Sequence, residues 1–255
     1  MLEGAVGANS LLTALMRGAP GPWQNQLEVV RLSLGEVLHE PYLVRDFVYF
    51  PLTAVVALLH VLEDGSTAEI AVVGSEGVVN LSLFMGDDIT PGSAMVQCAG
   101  FAIRLRADLL EEVFVSDAQA GRLLMRYSQT LIAQMAQTAS CNRHHPVHQR
   151  LCRWLLLMLD RRVGNGMPMT PELIATMLGV RRASVSGASA ALQNEGLIMG
   201  GRGRITVLNR PAMERRVCEC YAVIKSEHDR LLPALNALLE EAPEASDPAA
   251  QKKAP

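Results

Sequence analysis

Seven donors suited to an anion crowd into one short stretch: Arg181, Arg182, Ser184, Ser186 and Ser189, followed by Arg202 and Arg204. Arg182, Ser186, Ser189 and Gln193 recur at helical spacing, so a helix would gather them on one arc. No Asp or Glu lies between Val180 and Asn194 to repel a negative partner. Guanidinium forks bind phosphate or a base edge through paired charge-assisted hydrogen bonds, and hydroxyls add single ones. The chemistry is recognition rather than bond-making, because no nucleophile–base constellation accompanies these residues.

The elements that must hold these donors are legible around them. Thr170 is a good N-cap, Pro171 suits the first helical position, and Glu172 complements the helix dipole. Leu173, Ile174, Met177 and Leu178 make one apolar face, and Gly179 supplies the left-handed turn that ends the helix. A second helix starts near Arg181 or Arg182, with Val185, Ala188 and Leu192 facing inward. Helix, glycine turn, helix is the helix-turn-helix layout. Leu197–Met199 and Arg204–Val207 then read as short strands around Gly200-Gly201-Arg202-Gly203, a wing with a basic tip. An ordinary helical pair with a hairpin is the plainer alternative. The joint occurrence of turn glycine, acid-free helix and basic wing favours duplex DNA as partner.

This segment resembles the DNA-binding domain of the Crp/Fnr family of bacterial transcription regulators, and the resemblance extends over roughly residues 9 to 235. It implies that Arg182 reads a base, with guanine the expected target. Arg181 stands where relatives carry a capping serine, so a phosphate contact is expected of it. Thr170, Ser184, Ser186 and Ser189 are expected phosphate or base-edge donors, and Arg202 and Arg204 backbone contacts. Relatives often carry an acidic residue and a second arginine where this chain has Ala183 and Gly187, so their operator sequence does not transfer. The resemblance also makes RNA polymerase a possible partner.

Charge is distributed to match. Residues 1–142 carry 7 Lys/Arg against 15 Asp/Glu, whereas residues 143–230 carry 14 against 7, within a net charge of −3. A basic back half suits a polyanion. Five cysteines in an odd, unpaired pattern argue against a disulfide framework. The longest apolar runs are too short to span a bilayer and no signal-peptide pattern opens the chain, so a cytoplasmic protein without membrane contact is expected.

The chain in order gives an α+β architecture. After a short amphipathic helix at residues 9–16, period-two segments and turn signals through Leu105 suggest an antiparallel β jelly-roll barrel. The resemblance implies a cyclic-nucleotide-binding-like barrel, with a sensory domain over 1–115, a dimerisation helix and hinge over 116–143, a winged helix-turn-helix domain over 144–240 and a disordered tail over 241–255. In cyclic-nucleotide-binding relatives a Gly-Glu and an Arg-Ser or Arg-Thr bracket the phosphate cassette. Here Glu76-Gly77 and Gly92-Ser93 take those places, no arginine lies between Gly74 and Phe101, and Asp87 and Asp88 would repel phosphate. A degenerate pocket is therefore expected, with an effector other than cAMP, or none, and no cofactor.

Leu124, Ser128, Leu131 and Met135 step in a heptad-like seam along the long helix, which suggests a dimer axis. A helix packed on its own barrel is the alternative. His144, His145 and His148 lie near Cys141, but Pro146 interrupts them, and no metal site is expected. Cys218 and Cys220, two apart in an expected helix, look like poor joint ligands. With no cysteine before Cys98, oxygen sensing by the N-terminal iron–sulfur cluster of some relatives is not expected. A metal-dependent jelly-roll enzyme finds only His60 among the expected strands. A small-molecule barrel whose helical domain binds protein remains the main rival to a DNA-binding regulator.

Overall fold

The computed structural model describes residues 6–43, 46–81, 90–162, 164–201 and 203–240. The expected tail over 241–255, Asp87, Asp88 and Arg202 lie outside the described residues.

The N-terminal part opens with α1 (Ser10–Gly18). Strands β1 (Glu28–Leu32), β2 (Val37–His39), β3 (Phe47–Pro51), β4 (Val55–Val61), β5 (Thr67–Val73), β6 (Gly92–Cys98) and β7 (Gly100–Arg106) follow. They form two antiparallel sheets, ordered β1-β7-β3 and β2-β6-β4-β5. Leu32, Phe50, Ile103 and Leu105 from one sheet meet Val56, Ala71, Val73 and Val96 from the other in a single core. The jelly-roll expectation agrees with this pair of facing sheets.

Strand β4 explains the long apolar run at Ala54–Leu62. Val56 and Leu58 face the barrel core, while Val55, Ala57 and Leu59 face the C-terminal part. A strand buried on both faces loses the polar alternation of a one-sided sheet.

Helix α2 (Ala107–Ser116) leads to the long α3 (Ala118–His144), capped by Asp117, whose carboxylate accepts from the Gln119 and Ala120 amides at 2.8 Å. The helix continues through the end of the expected helix-and-hinge segment over 116–143. The break comes only at His145–Pro146, where proline at the N-cap of α4 (Val147–Asp160) stops continuation.

Beyond it lie β8 (Gly166–Pro168), α5 (Pro171–Leu178), α6 (Arg182–Asn194), β9 (Ile198–Gly201), β10 (Arg204–Val207) and α7 (Arg210–Arg216). Trp154, Leu155 and Met158 of α4 pack with Ile174, Leu178, Val185, Leu192 and Ile205 in a second core, which also takes in the outer face of β4. The last helix, α8 (Cys220–Glu240), turns back and packs along α3 and α1.

The seam of Leu124, Ser128, Leu131 and Met135 requires a correction. Leu124, Ser128 and Leu131 are buried and Met135 is half-buried, with Leu124, Leu131 and Met135 packed on the barrel core of their own chain. The stripe one residue further round is the open one. Met125 is 56 % exposed and Ile132 62 %, with Gln129, Ala136 and Ala139 continuing the same spacing in solvent.

Candidate nucleic-acid interface

The helix-turn-helix is assembled by local rules. Thr170 Oγ1 accepts from the Leu173 amide at 3.2 Å, so this hydroxyl is engaged as the N-cap of α5. Gly179 adopts φ 60°, ψ 44°, the left-handed conformation that lets the chain reverse into α6 without a Cβ clash. Val185, Ala188 and Leu192 point inward, while Arg181, Arg182, Ser184, Ser186 and Gly187 are exposed and Ser189 is half-buried. A Cβ on Gly187 would meet nothing within 4 Å among the described residues.

The wing is a three-stranded antiparallel sheet ordered β8-β10-β9, with Gly203 at φ 72° in its turn. Ser186, Ser189 and Gln193 on α6 and Gly200, Gly201, Gly203 and Arg204 on the wing border a cleft of about 310 Å³. Donors from two elements therefore face one groove. Arg204 is exposed at the hairpin, and its guanidinium reaches back to the Gly166 carbonyl at 3.4 Å. A side chain at Gly166 would strike it, with a Cβ 2.7 Å from Arg204 Nη2.

Two partners were not legible in the sequence. Gln193, on the outward arc, accepts from the Gly200 amide through Oε1 at 3.1 Å and so ties the second helix to the wing. Glu172, on the preceding helix, lies 2.7 Å from Arg182 Nε. The acid-free stretch thus receives one carboxylate from outside. Both partners are well exposed, so the pair restrains Arg182 weakly and is readily exchanged for a phosphate or base.

The four residues expected in an effector pocket are held otherwise. Glu76 Oε1 lies 2.7 Å from Arg161 Nε, in a pair whose side chains are only 17 % and 4 % exposed. Burial opposes ionisation of Glu76, but the charges of Arg161 and His228 prevail and hold its carboxyl below the usual range. Gly77 is a close-approach position: a Cβ there would fall 2.0 Å from the Tyr127 hydroxyl of α3. On β6, Ser93 Oγ donates to the His39 carbonyl at 3.0 Å, and the Gly92 amide donates to Thr90 Oγ1 at 3.3 Å.

The expectation for Cys218 and Cys220 also needs correction. Cys218 lies in the break between α7 and α8 rather than within a helix, so it is free to turn toward Cys220. Cys141, His145, Cys218 and Cys220 bring one ligand atom each to within 4.8 Å of one another. His144 is exposed and ends α3, whereas His148 belongs to α4, so these two share no helix face.

Residues 149–216 match the family model of the Crp-like helix-turn-helix domain. No curated protein matches the chain. Among solved structures, FixK2 from Bradyrhizobium japonicum is similar at 19% identity and a TM-score of 0.62, over 75% of this chain and 98% of that one. A CRP-family transcriptional regulator from Thermus thermophilus is similar at 19% identity and a TM-score of 0.62, over 73% and 95%. The c-di-GMP responsive global regulator CLP from Xanthomonas campestris is similar at 16% identity and a TM-score of 0.58, over 77% and 99%. At these identities the likeness is one of fold. Among the described residues, no helix is long and apolar enough to cross a membrane.

Proposed function

We propose, from the Crp-like helix-turn-helix domain and the fold shared with Crp/Fnr regulators, that the chain is a homodimeric, sequence-specific DNA-binding transcription regulator. The observation that carries this reading is the exposed donor face of α6, continuous with the wing and free of acids of its own. In this reading α6 enters the major groove, Arg182 exchanges Glu172 for a guanine edge, and Arg181, Arg202 and Arg204 meet phosphates. Thr170, Ser184, Ser186 and Ser189 add phosphate or base-edge contacts.

Arg182→Ala is expected to cost about 1–3 kcal/mol of specific affinity and to relax the preference at one base pair. Selection of bound sequences from a random duplex pool, followed by titration of the selected site and a scrambled one, measures both. An equal loss on both duplexes would reassign Arg182 to the phosphate backbone. The wild-type titration repeated across salt concentrations separates this function from a protein-binding helical domain. Phosphate neutralisation gives a steep negative slope of log K against log salt, and a chain that ignores every duplex at low salt refutes the proposal.

The dimer axis in this reading is the open stripe of α3, Met125–Gln129–Ile132–Ala136, running in steps of three and four. Two reading helices related by a two-fold would meet half-sites about 34 Å apart. Ile132→Glu is expected to give a folded monomer, because the side chain is exposed in the single chain and its replacement leaves the protomer's cores intact. Sedimentation velocity reads the outcome, and a wild-type monomer or a dimeric variant would rule out this axis.

The barrel is proposed to respond to something other than a cyclic nucleotide. Glu76 is committed to Arg161, and the segment between Gly74 and Phe101 has no arginine to receive a cyclic phosphate. RNA polymerase is a partner to test once a target promoter is known.

A further inference from the structure

We propose that Cys141, His145, Cys218 and Cys220 form a closed, tetrahedral zinc site that clamps the last turn of α3 to the α7–α8 junction. Cys141 and His145 are i, i+4 neighbours at the end of α3, and Cys218 and Cys220 arrive from the far side of the winged domain. The Cys141 and Cys218 sulfurs are 3.6 Å apart, and Cys220 Sγ is 3.4 Å from His145 Nδ1. A tetrahedral ion with bonds of about 2.3 Å to sulfur and about 2.0 Å to nitrogen needs edges of roughly 3.5–3.8 Å. Two of the six donor–donor edges already have that length, and all four donors lie within 4.8 Å of one another, so small side-chain shifts would close them around one ion.

Three further features separate this cluster from an apolar patch of cysteines. His145 points Nδ1 at Cys220 and holds Nε2 3.4 Å from Glu219 Oε2. A metal-bound histidine characteristically gives its second nitrogen to a carboxylate, which fixes the ring and its tautomer. All three cysteines are free thiols and at least 96 % buried, which gives the ion a dry site closed to substrate. Charge also balances: a dication with three thiolates carries one net negative charge, and the buried Arg150 and Arg153 lie within electrostatic reach of Cys141. Among the described residues, the Nε atoms of both arginines have no hydrogen-bond partner.

A disulfide between Cys141 and Cys218 would use two of the four donors and leave Cys220 and His145 converging without purpose. Soft thiolates in a tetrahedral set select zinc over hard cations such as magnesium and calcium. The site lies beside His145–Pro146, the break between the long helix and the winged domain. Bound zinc would fix the α7–α8 junction against that break, and binding would displace the thiol protons.

The test uses the full chain and does not depend on DNA binding. Protein expressed with zinc supplied is expected to contain one zinc per chain by elemental analysis, released stoichiometrically by a mercurial thiol reagent. After chelation, one equivalent of cobalt(II) should give thiolate-to-cobalt charge-transfer bands and the intense visible bands of a tetrahedral site. Cys218→Ser should lose these bands, while Cys152→Ala, buried in the second core, should keep them. The melting midpoint of wild type should fall on chelation and return with zinc. Metal-free protein that gives no cobalt bands, or bands of octahedral intensity, or bands unchanged in Cys218→Ser, overturns the proposal.

Discussion

Arg161→Ala is expected to lower the unfolding free energy by about 3–5 kcal/mol, because it leaves the buried Glu76 carboxylate without its counter-charge. Arg161 closes the C-terminal end of α4 and touches four elements. Nε pairs with Glu76 of the barrel at 2.7 Å, Nη1 donates to the Leu157 carbonyl at 2.9 Å, and Nη2 meets His228 of α8 at 3.0 Å. Gln134 of α3 accepts from Nη2 at 3.5 Å. Removing the guanidinium therefore strands one charge and loosens three packing partners at once.

The loss should depend on pH in a defined direction. Burial, and then the charge of Arg161, hold His228 below its ordinary value. Without Arg161, His228 protonates more readily and can replace part of the missing charge beside Glu76, so the deficit should shrink as pH falls. Glu76→Gln combined with Arg161→Met should recover most of the stability, since a neutral pair of similar volume leaves no orphaned charge. Urea unfolding of the single and double variants at several pH values reads all three expectations. A deficit below about 1 kcal/mol for Arg161→Ala, the level of an exposed pair, would refute this account.

Glu69→Gln is expected to remove a pH dependence of stability worth up to roughly 3 kcal/mol between acid and neutral pH. Glu69 lies on β5, where Oε2 accepts from Trp154 Nε1 of α4 at 3.1 Å and from the Gln97 amide, at the seam between barrel and winged domain. Burial pushes its carboxyl from 4.5 up to about 7, against the pull of those hydrogen bonds and of Arg153 and Arg161. A carboxyl with a raised folded-state value binds a proton more tightly when folded. Its contribution is complete below about pH 4.5 and is lost as pH rises through about 7. Glutamine keeps an acceptor for Trp154 and cannot ionise. The variant should match wild type near pH 4.5 and exceed it near pH 8, and parallel profiles would reject the assignment.

Much of the reading surface was legible because it depends on neighbours in the chain. The Thr170 cap, the Gly179 turn, the inward trio Val185, Ala188 and Leu192 and the wing strands each follow from spacing over a few residues. The period-two strands of the barrel were legible for the same reason. Burial on both faces hid a different fact about β4. Its apolar run looked like any buried strand, and the surface that covers its outer face begins almost a hundred residues later.

The long helix shows where local reasoning stops. Two stripes on α3 share the same three-four rhythm, and periodicity alone does not say which one meets the barrel. The barrel takes Leu124 and Leu131 and leaves Met125 and Ile132 in solvent. Glu76 met a similar fate: a motif near a glycine suggested a ligand, and a guanidinium 85 positions away claims it.

By itself, then, the sequence determined the period-two strands of the barrel, the helix-turn-helix with its two-stranded wing, and a basic face for a polyanion, since these arise from contacts within a turn or a hairpin. Only the tertiary structure decided which side of α3 is open, that Glu76 serves the interior, and that Cys141 meets Cys218 across 77 positions. Those outcomes depend on how separate segments close against one another, and loop closure brings together residues whose distance along the chain carries no trace of the meeting.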